Sequence, residues 1–155
     1  MVKAGSLPLR FADGALAAVL LYSFFRPWLS FLGSPVAGHR IRETLQGPHR
    51  LVSAFTRDAQ VSSDFALSLY LWAVPAAAAL VLVLGLLRGA GPGARAAAGF
   101  AAGCVAVAAF LFLRVRLAGY PFQRMESGAW LALAAGTGLL LVAAVRAAMR
   151  LRAKG

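Results

Sequence analysis

The chain has 155 residues, 61% of them hydrophobic and only 14% charged, with a formal net charge of +11. A water-soluble domain carries about a quarter of its residues as charges, so this composition excludes an ordinary soluble fold and points to a multi-spanning membrane protein. The 16 Lys and Arg lie at the ends of apolar runs and form no stripe interleaved with aromatics. That distribution suits topology and anionic lipid headgroups, and argues against nucleic acid as a partner.

The first apolar run covers residues 9–25. At 1.5 Å rise per residue it crosses a hydrocarbon core of about 30 Å only if flanking residues contribute. Lys3 and Arg10 would also fit the basic region of a signal peptide, but Arg26, Pro27 and Trp28 follow the run where small residues would be needed. An uncleaved span is therefore expected. The Arg26-Pro27-Trp28 triplet reads as its exit: arginine reaches toward headgroups, tryptophan prefers the interfacial layer, and proline stops the helix. Leu29, Phe31, Leu32 and Val36 are then expected to keep the chain along the membrane surface, with turns at Gly33, Pro35 and Gly38.

Residues 34–64 are the one polar segment of any size, an outer loop of roughly 30 residues that could hold a short amphipathic helix. Pro48 can start that helix, with Leu51, Val52 and Phe55 opposite Arg50, Arg57 and Asp58. The loop is either a cap over the bundle or a docking surface for a partner. The second run, 65–87, follows the capping residues Ser62, Ser63 and Asp64, bears Tyr70 and Trp72 near its start, and contains Pro75, which is expected to kink it. Gly89, Gly91, Pro92 and Gly93 form a link to the third run, 96–113, so short that the two must be antiparallel. Gly119 and Pro121 break the chain before the fourth run, 130–145, which leads into a basic tail, 146–155. The expected fold is all-α: a single-domain integral-membrane four-helix bundle.

Orientation is a close decision. With the N-terminus in the cytoplasm, Lys3, Arg10, Arg88, Arg95, Arg146, Arg150, Arg152 and Lys154 fall inside, and Arg26, Arg40, Arg42, Arg50, Arg57, Arg114, Arg116 and Arg124 outside. The counts are equal. Glu43, Asp58, Asp64 and Glu126 lie outside against Asp13 inside, and the C-terminal cluster abuts a helix end, where the positive-inside rule is strongest. Both termini are assigned to the cytoplasm.

Few residues carry chemistry. Asp13 lies about one turn inside the first span, where an unpaired carboxylate costs a few kcal/mol. It is a proton or cation site, or it is a carboxylate near a helix start paired with Arg95 or Arg146. Arg26, Arg114, Arg116, Arg124 and Glu126 form an outer charge cluster by depth, read as a salt-bridged lid or an anion pocket. His39 and His49, ten apart, match no metal-ligand spacing, and neither a Gly-x-Ser-x-Gly elbow nor HExxH is present. Cys104, the single cysteine, cannot form an intrachain disulfide or a CxxC site and reads as an apolar filler. The pairs Gly99/Gly103, Ala132/Gly136 and Ala134/Gly138 are each four apart, which lets helix backbones approach closely.

The segment "PWLSFLGSPVAG" after a first span and the closing "GAWLALAAGTGLLL" resemble small bacterial four-helix inner-membrane proteins. In that group a Pro-Trp pair ends helix one and a Gly–aromatic pair opens helix four. The resemblance implies the topology and a bacterial inner-membrane location, and little chemistry. Claudin-like tetraspan proteins share the loop plan, but their paired loop cysteines are missing here. The expected role is non-catalytic: an accessory or scaffold subunit without cofactor or metal, contacting anionic lipids and other membrane subunits or itself. A small oligomeric transporter or channel component is the alternative, and a membrane enzyme acting on lipids a third.

Overall fold

The computed structural model describes residues 7–31, 33–46, 66, 68–87, 91–117 and 123–152. The first helix, α1, covers Leu7–Phe25. Asp13, Ala17, Leu20 and Phe24 are buried and recur at helical spacing, so one stripe of α1 faces the interior. The strands β1 (Pro27–Phe31) and β2 (Ser34–Ala37) follow, then a short helical stretch at 38–46 that begins as a 3-10 turn. A 3-10 turn at Ser68–Trp72 leads into α2 (Ala73–Leu86). Helix α3 (Pro92–Phe112) continues through a π-helical turn, Leu113–Leu117. Strand β3 (Gln123–Met125) precedes α4 (Ser127–Arg152).

Helices α1, α2, α3 and α4 close into a ring, each packed against its two neighbours in the order α1–α2–α3–α4. Small residues make the contact between α3 and α4 close. A Cβ at Gly136 would lie 2.6 Å from the Ala106 Cβ, and one at Gly103 would lie 2.8 Å from the Gly136 carbonyl oxygen. Gly138 serves the other neighbour, since its Cβ would meet Leu16 of α1 at 2.9 Å. Ala132 is buried and Ala134 is exposed, so the small-residue pairs do not all face one partner.

The outward faces are apolar as well. Leu80, Val83 and Leu86 of α2, Phe100 and Leu111 of α3, and Leu141 and Val145 of α4 are all exposed. Three helical stretches are long and apolar enough to cross a membrane: Ser68–Leu86, Pro92–Arg116 and Ser127–Arg152. Helix α1 carries a shorter apolar stretch, Phe11–Phe25.

The structure departs from the expected all-α fold at one end of the ring. There β1 pairs antiparallel with both β2 and β3 in a three-stranded sheet of order β2-β1-β3. Gly33, at φ +81°, supplies the left-handed conformation that the tight β1–β2 turn requires. The segment after α1 is thus a hairpin packed against the first and last helices.

Trp28 is the sharpest correction. It is fully buried rather than an interfacial anchor. The β1–β2 register shifts between Pro27 and Leu29, and such a bulge re-aims a side chain. The indole N–H donates to the Ser23 carbonyl at 2.6 Å, and the ring stands edge-on to Phe24 with centroids 5.7 Å apart. Gly128 makes this seat possible, because a Cβ there would lie 2.5 Å from the Trp28 Cδ1.

Pro75 also acts differently from expectation. It is the third residue of α2, directly after the 3-10 turn, where a missing N–H is tolerated. The change of helix type stands where a mid-helix kink was expected. Gly91 is the N-cap and Pro92 the first residue of α3, so Pro92 and Gly93 belong to the helix and not to the link. The expected amphipathic helix at Pro48–Asp58, the caps Ser62–Asp64, and Gly89, Gly119 and Pro121 lie outside the described residues.

Candidate functional site

At the end of the ring opposite the sheet, α1 begins and α4 ends. The Arg146 guanidinium forms an ion pair with the Asp13 carboxylate, and the two side chains are 12% and 10% exposed. Arg146 also donates to the Leu9 carbonyl at 2.7 Å. One residue of α4 thereby holds both a side chain and the backbone of the first turns of α1. Gly99 lies beside the carboxylate without a tight contact, as a Cβ there would be 3.9 Å from the Asp13 Oδ1.

Arg95 is brought to the same region but does a different job. Its Nε–H donates to the Leu84 carbonyl at 3.0 Å and its Nη2 to the Leu87 carbonyl at 2.6 Å. The last carbonyls of a helix have no intrahelical donor, so Arg95, itself buried, caps α2 from the first turn of α3. Asp13, Val81, Gly85 and Arg95 line a cavity of about 10 Å³, room for about one water molecule. Between this polar layer and the sheet the interior is apolar: Ala17, Leu20, Val74, Ala78, Ala102, Ala106 and Leu139 are all buried.

The outer cluster is spread over the sheet end. Arg26 sits over the Tyr22 ring, 5.8 Å from its centroid. Arg114 and Arg116 belong to the π turn after α3, and Arg124 to β3, where it pairs with Ser30 of β1. Glu126 opens α4 through its backbone: its N–H donates to the Trp28 carbonyl at 2.9 Å, and its carbonyl accepts from Ala129 and Trp130. His39 lies beside the Phe25 ring at 5.5 Å, with a buried Nδ1 that has no hydrogen-bond partner. His49 lies outside the described residues. Cys104 is exposed on α3.

A further feature was not visible as a motif. Between the start of α2 and the end of α3 an open apolar groove of about 340 Å³ is lined by Tyr70, Leu71 and Ala73 on one side and Val105, Ala108 and Phe112 on the other. The one available signal is the recurrence of 105, 108 and 112 at helical spacing, which also describes an ordinary lipid-facing stripe. At that level of the ring Tyr22, Tyr70, Trp72 and Trp130 are all exposed.

No family model matches the chain, and neither a curated protein nor a solved structure is detectably similar to it.

Proposed function

We propose that this chain is an integral membrane protein whose four longer helices cross the bilayer, and that it acts without catalysis as an accessory or scaffold subunit of a membrane assembly. The observation that carries this reading is the distribution of polarity. The outward helix faces are apolar, while the charged groups of the interior are engaged with one another or with helix ends. Large exposed apolar faces are incompatible with water and suited to lipid or to other membrane helices. Exposed Tyr22, Tyr70, Trp72 and Trp130 form a belt at the sheet end, the arrangement preferred at a membrane–water interface. Arg150 and Arg152 at the end of α4 support our assignment of the opposite end to the cytoplasm, in what we take to be a bacterial inner membrane, with both termini inside. The resemblance to small bacterial four-helix proteins supports the same topology.

The sheet and the helical stretch after it then form a cap on the outer side, with Arg40, Glu43 and Arg124 exposed as its contact surface for other subunits. A transporter is the second reading, favoured by the small cavity beside Asp13. Against it, apolar residues fill about 15 Å between Asp13 and Ser23, ten residues further along α1. A polar route would have to lie between protomers.

Purification in mild detergent followed by mass measurement separates these readings. Co-purifying foreign subunits support the scaffold, and a closed ring of identical chains supports the conductor. Thiol labelling that places residues 34–64 on the same side of the membrane as the C-terminal tail overturns the topology.

A further inference from the structure

We infer that the cavity beside Asp13 is a binding site for a single water molecule, which accepts from the Arg95 guanidinium and donates to the Asp13 carboxylate. That water joins the polar layer into one chain of contacts across α1, α2, α3 and α4. The site belongs to the interior of the ring and goes beyond the scaffold reading above.

The direct contacts tie the helices in two separate pairs. Arg146 of α4 holds the Asp13 carboxylate and the Leu9 carbonyl of α1. Arg95 of α3 holds the Leu84 and Leu87 carbonyls at the end of α2. Asp13 and Arg95 are both buried, and both line one cavity of about 10 Å³ whose other walls are Val81 and Gly85. That volume is about one water-sized sphere, too small for a hydrated ion or an organic ligand. Chemistry then decides whether the cavity is wet. Cavities that stay dry are lined by apolar groups alone, whereas a buried water needs two to four polar partners. Here a charged donor from α3 and a charged acceptor from α1 meet at the same space. The bonds to Leu84 and Leu87 engage two of the five N–H donors of a guanidinium. Arg146 pairs with the Asp13 Oδ2, while Oδ1 lies on the α3 side, 3.9 Å from where a Gly99 Cβ would stand. Gly99 follows Arg95 by four residues in α3, so the two share a helix face. A water between them makes two charge-assisted bonds, and a bridge of this kind is nearly as favourable in enthalpy as a direct hydrogen bond.

Two measurements on the full chain test the site. The first is a crystal structure grown from a lipid mesophase, at a resolution that shows ordered water. One water is expected within about 3 Å of the Asp13 Oδ1 and of an Arg95 nitrogen. A cavity without water density overturns the inference, and so does a direct contact between the two side chains that closes the cavity. The second needs no crystal: magnetisation transfer from water to methyl protons in lipid nanodiscs, with the chain deuterated except at its valine methyls. Val81, which lines the cavity, should receive magnetisation. Val74, fully buried two turns earlier in α2 and about 10 Å deeper, should receive none. Absence of transfer to Val81 overturns the inference. Arg95→Met keeps the Asp13–Arg146 pair, removes the donor to the water and should abolish the transfer to Val81. Transfer that survives undiminished in Arg95→Met means that bulk water reaches Val81 past the helix ends, which also overturns the bridge.

Discussion

Removing the Asp13 carboxylate gives the most direct measure of how the polar layer is held. In Asp13→Ala, Arg146 keeps its bond to the Leu9 carbonyl but loses its counter-ion in a site where both side chains are about nine-tenths buried. Breaking a buried pair by deleting one partner costs about 3–5 kcal/mol, because the other charge is left uncompensated. The retained Leu9 bond, together with the ability of a long arginine near a helix end to reach the interface, puts the expected loss at the low end, about 3 kcal/mol. Asp13→Asn keeps an acceptor for the guanidinium and should lose about half as much. The double variant Asp13→Ala/Arg146→Met removes both charges together. Its loss should not exceed that of Asp13→Ala alone; with the single variant Arg146→Met expected to lose about 2 kcal/mol, the cycle gives a coupling energy of about 2 kcal/mol or more. Reversible unfolding in mixed micelles, followed by circular dichroism as the share of denaturing detergent rises, reads the wild type, both Asp13 variants, Arg146→Met and the double variant. A loss below about 1 kcal/mol in Asp13→Ala, the range of a solvated surface pair, would refute the argument from burial. Additive losses in the double variant would refute the pairing itself.

Other substitutions probe the remaining contacts. Gly136→Ala gains about 1 kcal/mol of helix propensity but forces a methyl to 2.6 Å from the Ala106 Cβ. Overpacking between two backbones costs about 1–3 kcal/mol, so unfolding in micelles should show a net loss. Gly128→Ala drives a Cβ into Trp28 and the Pro27 carbonyl; the fluorescence of the otherwise buried Trp28 should change while far-UV helicity is kept. Arg95→Met strips the Leu84 and Leu87 carbonyls of their donors, and hydrogen exchange should speed up at the end of α2 before anywhere in α4. Cys104, exposed near the middle of α3, should resist water-soluble maleimides in membranes, where lipid excludes the reagent, and react after denaturation.

Much of the helical framework was legible from composition and spacing. The apolar runs at 65–87, 96–113 and 130–145 overlap the three helical stretches long and apolar enough to cross a membrane. Their limits follow from local chemistry such as Pro92 at a helix start. The Asp13 partners were narrowed to two by depth along the helices. Depth alone could not separate Arg146 from Arg95, since that choice depends on how the helices are rotated about their axes. Rotation is set by packing: Gly103 against Gly136 fixes α3 on α4, and this sends Arg95 to the end of α2 and Arg146 to Asp13.

By itself, then, the sequence determined where the chain is helical and which stretches are apolar, because helix periodicity and hydropathy are properties of neighbouring residues. Tertiary structure alone decided the cap. Pairing of Leu29 with Met125 joins segments at opposite ends of the chain, and no local pattern announces a strand of three residues such as Gln123–Met125. That pairing converted Trp28 from an expected membrane anchor into a core residue. The apolar groove has the same origin, since its walls come from two separate helical segments.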